Sequence, residues 1–100
     1  MLTIGTFTKN QDGYKGEIRT IGLAITSEIK PVKSDNEKAP NFRVYADTVE
    51  VGAGWVRTAK ESGDEYISIK MDDPCFPATI YAVLVEREGQ HLLQWSRKAK

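Results

Sequence analysis

Residues Ser62 to Pro74 read Ser-Gly-Asp-Glu-Tyr-Ile-Ser-Ile-Lys-Met-Asp-Asp-Pro. A polar turn with Gly63 opens this stretch and Asp-Asp-Pro closes it. Between them Ile67, Ile69 and Met71 alternate with Tyr66, Ser68 and Lys70. Strict alternation over this length is the pattern of a half-buried β-strand, with one face against a core and the other toward solvent.

Outward from that strand the same pattern recurs. Leu2 to Thr8 reads as a first strand weakened by Gly5, Asn10 to Gly13 as a turn, and Tyr14 to Thr20 as the returning strand of a hairpin. Ile21 to Ile29 places Ile21, Leu23 and Ile25 on one face, and Pro31 ends it. Lys33 to Pro40 is a polar loop, the segment expected to be the most mobile. Phe42 to Ala46 and Val49 to Thr58 read as strands, the second with Gly52 and Gly54 marking a bulge or a close backbone approach. Thr79 to Val85 is apolar on both faces and reads as a central strand or a buried short helix, its β-branched content favouring the strand, and His91 to Arg97 returns after a turn at Glu88-Gly89. Ile4-Gly5, Phe7, Gly13-Tyr14 and Ile18 in the first half loosely match Val51-Gly52, Trp55, Gly63, Tyr66 and Ile69 in the second, which points to two similar β-units. The expectation is a single all-β domain over residues 1–100, a small antiparallel barrel or sandwich of about seven or eight short strands.

Composition narrows the functional classes. One hundred residues, 40% apolar and 28% charged, suit one soluble domain with one core. Fourteen basic and fourteen acidic side chains cancel, so net charge does not announce nucleic acid, and Arg97, Lys98 and Lys100 form only a short cationic end. The longest apolar run, Ile80 to Val85, is too short to span a bilayer, and the N-terminus has no secretory pattern. The expected location is the cytoplasm, which the lone Cys75 fits, since it has no disulfide partner and cannot form a zinc site alone.

Seven segments together resemble a known family. They are Ile4 to Lys9, Gly16 to Thr20, Ala39 to Ala46, Gly52 to Trp55, Tyr66 to Pro74, Phe76 to Ala78 and Leu93 to Arg97. In this order they resemble the bacterial proteins grouped as domain of unknown function 736, small proteins often encoded near conjugative plasmid or integrative-element genes. Asn41 stands where the family pattern has an aspartate, and Gly54 where it has an alanine. The resemblance implies a setting, bacterial mobile DNA, and no activity.

No catalytic signature emerges. The only histidine, His91, sits in a strand beside Leu92 and Leu93 and reads as solvent-facing or structural, and Cys75 has no basic neighbour to activate it. Asp72 and Asp73 could suggest a cation or acid-base pair. Adjacent strand residues point to opposite faces, however, and Asp before Pro commonly caps a turn. The glycines stand singly, without a phosphate-cradling loop. No enzyme, cofactor or metal is expected.

What does recur is an aromatic and a cation on the same side of a strand. Phe7 pairs with Lys9, Arg43 with Tyr45, Trp55 with Arg57, Tyr66 with Lys70 across Ser68, and Trp95 with Arg97. On exposed, contiguous faces such pairs stack bases and meet phosphates. The competing reading places the aromatics in the core, Trp55 and Trp95 first, with cations snorkelling outward. The leading expectation is a non-catalytic module binding single-stranded nucleic acid through Arg43, Tyr45, Trp55, Arg57, Tyr66 and Lys70. The alternative is a protein-binding module that inhibits a host defence complex or regulates element transfer, suited by balanced charge and the acidic Glu61, Asp64 and Glu65. Self-association through an exposed strand edge is compatible with either.

Overall fold

The computed structural model describes residues 2–33, 38–74, 76 and 78–95. Cys75 and the cationic Arg97, Lys98 and Lys100 lie outside the described residues, as does the middle of the Lys33 to Pro40 loop. Eight antiparallel strands follow one another: β1 (Leu2–Asn10), β2 (Gly13–Thr20), β3 (Leu23–Pro31), β4 (Phe42–Ala46), β5 (Val49–Thr58), β6 (Glu65–Met71), β7 (Ile80–Arg87) and β8 (Gln90–Trp95). Each pairs with the next and β8 pairs back onto β1, so the sheet closes into a barrel. Closure leaves none of these strands with a free edge, which removes the edge-pairing route to self-association. Among the described residues no helix is long and apolar enough to cross a membrane.

Local chemistry sets the connectivity. Four hairpins turn in two residues, at Gln11-Asp12, Ile21-Gly22, Asp47-Thr48 and Glu88-Gly89. The last has both φ angles in the left-handed region, 52° and 83°, as a primed turn requires to match strand twist. In the first, the Asp12 amide donates to Asn10 Oδ1 at 2.8 Å. One expectation is corrected here: Ile21 is not a strand residue facing the core but the first turn residue, fully exposed at 109%. The hairpin register Thr20–Leu23 and the adjacent glycine outweigh the β-propensity of one isoleucine.

Two ladders carry an extra residue. On β1, Thr3 faces Gln94 and Gly5 faces Leu93, leaving Ile4 over; on β5, Glu50 faces Tyr45 and Gly52 faces Val44, leaving Val51 over. Both extra residues are buried. These are the Ile4-Gly5 and Val51-Gly52 pairs that match between the halves, and they occupy the two ladders, β8–β1 and β4–β5, at which one four-strand half meets the other. A bulge bends its strand and increases twist, which a short sheet needs in order to close.

Inside, Phe7, Ile18, Ile29, Val44, Ile67, Ile69, Met71, Leu84 and Leu93 form one continuous core. Ile67, Ile69 and Met71 of β6 face inward, as their alternation requires. The hydroxyl of Ser27, the one fully buried polar side chain among the described residues, donates to the Tyr45 carbonyl at 2.7 Å. The doubly buried reading of Thr79 to Val85 is corrected. A barrel has one interior, so Ala82 and Leu84 point into it while Tyr81 on the outside is 49% exposed and Val83 and Val85 are half-buried.

Large and small side chains alternate across the core to fit this narrow interior. Phe7 lies opposite Gly16, and Gly54 lies between Phe42 and Ile69. A Cβ on Gly16 would stand 2.0 Å from the Thr6 carbonyl oxygen, and one on Gly54 would meet Ile67 Cγ2 and Ile69 Cδ1 at 2.9 Å and Phe42 Cβ at 3.5 Å, all side-chain atoms. Backbone yields less readily than side-chain tips. Denaturant midpoints are expected to show Gly16→Ala destabilised by about 1–3 kcal/mol and Gly54→Ala destabilised less than Gly16→Ala.

Candidate nucleic-acid interface

Because Ile67, Ile69 and Met71 point inward, Tyr66, Ser68 and Lys70 point out, and register carries that surface onto the neighbouring strands. One outward row runs Lys30–Arg43–Ala53–Lys70–Tyr81 from β3 to β7. A second runs Trp55–Ser68–Val83 and a third pairs Arg57 with Tyr66. Glu28, Tyr45 and Glu50 form the row on the other side of Arg43. All six residues singled out from the sequence therefore lie on the outer face of three adjacent strands, β4 to β6.

Their settings differ. Arg57 and Lys70 are exposed, whereas Arg43, Tyr45, Trp55 and Tyr66 are half-buried. Ala53, flanked in register by Arg43 and Lys70, is only 8% exposed although it lies outside the core cluster, so neighbouring side chains cover this part of the outer wall. Arg43, Glu50, Lys70 and Asp72 surround a shallow depression of about 280 Å³ there. Arg43 lies 3.5 Å from Glu50, both side chains substantially exposed, and such a pair is worth about 1 kcal/mol at most, so a phosphate could displace the carboxylate. The Lys30 ammonium lies 5.7 Å from the centre of the Tyr45 ring, a cation–π contact.

Trp55 is oriented by the segment preceding β4. Its indole N–H donates to the Lys38 carbonyl at 3.2 Å. Asn41 fixes that segment: its side-chain oxygen accepts from the Val56 amide at 2.9 Å, its own amide donates to the Gly54 carbonyl at 2.8 Å, and its carbonyl accepts from the Val32 amide at 3.0 Å. An aspartate would offer the same side-chain acceptor.

Other expectations fare differently. Phe7 is 2% exposed and belongs to the core, so Phe7 and Lys9 are not a surface pair. The bulge at Ile4 shifts the alternation and turns Phe7 inward. Trp95 also lies against the core, opposite Ala82, while its partner Arg97 is outside the described residues. Trp55 does not belong to the core, so only one of the two tryptophans follows the core reading. His91 is half-buried, its ring 4.9 Å from Tyr14 in an edge-on contact. The Asp72 carboxylate accepts from the Thr79 hydroxyl at 3.0 Å, and the Asp73 carbonyl accepts from the Phe76 amide, tying the β6–β7 link. No group of three or more potential metal-ligating side chains occurs among the described residues. Lys30 and Tyr81 were not singled out from the sequence, because each lies on a different strand from its row partners and only inter-strand register brings them together.

A family model described as "Protein of unknown function (DUF736)" matches residues 3–98, nearly the whole chain, and the chain belongs to that family. Comparison with the curated proteins and comparison with the solved structures each give no match.

The Asn41 contacts generate a direct prediction. Asn41→Ala should cost about 1 kcal/mol of stability and shift Trp55 emission to the red in a Trp95→Phe background. Asn41→Asp, which keeps the acceptor, should leave both near the parent values.

Proposed function

We propose that this member of the DUF736 family is a non-catalytic module that binds single-stranded nucleic acid across the outer face of β4, β5 and β6, in the setting of a bacterial mobile genetic element. The observation that carries the reading is the register, which gathers Arg43, Tyr45, Trp55, Arg57, Tyr66 and Lys70 onto one continuous surface and adds Lys30 at its margin. Tyr45, Trp55 and Tyr66 supply faces for stacking, worth about 1–3 kcal/mol per base. Arg43, Arg57, Lys70 and Lys30 meet the phosphates. Zero net charge is no obstacle, because stacking on aromatic rings does not depend on net charge, although Glu28, Glu50 and Asp72 border the cations of this face.

The test uses oligothymidylate, read by Trp55 fluorescence in the Trp95→Phe background. Saturable quenching is expected, weakening between about 50 and 200 mM salt. Arg43→Ala and Lys70→Ala should each flatten the slope of log affinity against log salt by about 0.7, the value for one phosphate contact on a single strand. Trp55→Ala, read by anisotropy of labelled DNA, should cost about 1–3 kcal/mol. Absence of salt-dependent binding to any single strand would overturn the proposal and leave the protein-partner reading.

A further inference from the structure

At one end of the barrel a pocket adjoins the outer face. The alternation that buries Phe7, Ile67 and Leu84 carries the next inward positions of several strands to this mouth, where register pairs Lys9 with Tyr14 and His91 with Glu86. The mouth encloses about 310 Å³ over a floor that includes Phe42, Ile67 and Leu84. Tyr14 forms an aromatic corner, its ring 5.9 Å from Phe42 and 4.9 Å from His91, tilted by 59° and 63°.

The rim holds unspent polar chemistry. Among the described residues no hydrogen bond or ion pair engages the Lys9 ammonium, the Tyr14 hydroxyl, the His91 ring or the carboxylates of Glu65 and Glu86. Their arrangement is polarised: Glu65 and Glu86 stand on the adjacent strands β6 and β7, while Lys9 stands on β1. Burial and the negative charge of Glu86 hold the Tyr14 phenol above its ordinary value, keeping it a hydrogen-bond donor at neutral pH. Carboxylates only accept hydrogen bonds, so a matching ligand brings N–H or O–H donors to β6 and β7, a flat ring to the floor, and an anionic or carbonyl group to Lys9. A simple amine would satisfy the two glutamates and leave Lys9 unused. A nucleotide with an exocyclic amino group satisfies all three, since carboxylates accept from such amino groups and Lys9 takes the phosphate.

We infer that the mouth receives one unstacked, amino-bearing nucleobase, cytosine, adenine or guanine, and rejects thymine and uracil. The inference rests on the nucleic-acid reading of the outer face. The two surfaces adjoin, because Tyr66, paired with Arg57 on the outer wall, also reaches this rim. A strand stacked on Trp55 and Tyr66 therefore passes the lip of the mouth. Thymine and uracil offer the carboxylates only one imide N–H, flanked by two carbonyls, and the oxygen that stands in place of the amino group would face a carboxylate.

His91 is the only histidine, so its ring Hε1 proton gives a single reporter signal. Titration with dCMP and dAMP, followed by proton NMR, should shift that signal saturably, and dTMP should not. Glu65→Gln/Glu86→Gln, at two exposed positions, should weaken dCMP binding at least tenfold, whereas Arg19→Ala, at an exposed position of β2, should leave it unchanged. Equal shifts with dTMP, or no shift with any nucleotide, would overturn the inference. Oligothymidylate binding read at Trp55 tests the outer face alone. Loss of that binding sinks the platform, while its persistence with a silent His91 sinks only the mouth.

Discussion

Closure of the β1–β8 ladder is the constraint from which the rest of the molecule follows. A closed sheet of short strands has one interior, so every strand must give half its side chains to it and the other half to the outside. The core is built from residues such as Phe7, Ile29, Val44, Ile69 and Leu93, and Gly16 and Gly54 leave room beside the larger side chains. The bulges at Ile4 and Val51 sit in the two ladders that join the halves, and each adds a buried aliphatic side chain where the strand bends. Bending, closure and core filling thus depend on the same two places.

The outer surface is set by the same constraint. Once Ile67 and Ile69 are inside, Tyr66, Ser68 and Lys70 are outside, and antiparallel register carries the outward set to Arg43, Tyr45, Trp55 and Arg57. Hydrogen bonds through Asn41 and Lys38 then hold the preceding segment against Trp55, so that side chain is oriented as well as exposed in part. This combination of aromatic rings fixed on strands and cations on longer stems favours a ligand with flat rings and a regularly charged backbone.

Much of this was legible in the sequence, for a physical reason that also marks the limit. Alternation identifies which residues share a face, and in β6 the apolar set leaves no doubt which face is buried. It fails where the backbone departs from period two. In β1, Ile4 and Phe7 both point inward although three residues separate them, because the bulge intervenes; this is why Phe7 read as a surface partner of Lys9. Ile21 read as strand because a two-residue turn interrupts the apolar pattern only briefly. The mouth was not legible at all, since Lys9, Tyr14, Glu65, Glu86 and His91 come from five strands and meet only through register.

The proposed interface is tested most directly by asking which face of which strands responds to a nucleic acid. Backbone amide and side-chain NMR shifts during titration with oligothymidylate would map it. The account predicts the largest changes at the outward positions Arg43, Tyr45, Trp55, Arg57, Tyr66, Ser68 and Lys70, with the outward residues of β1 and β2, such as Thr6 and Glu17, nearly silent. Changes centred on β1, β2 and β8, or no changes at saturating oligonucleotide, would contradict it.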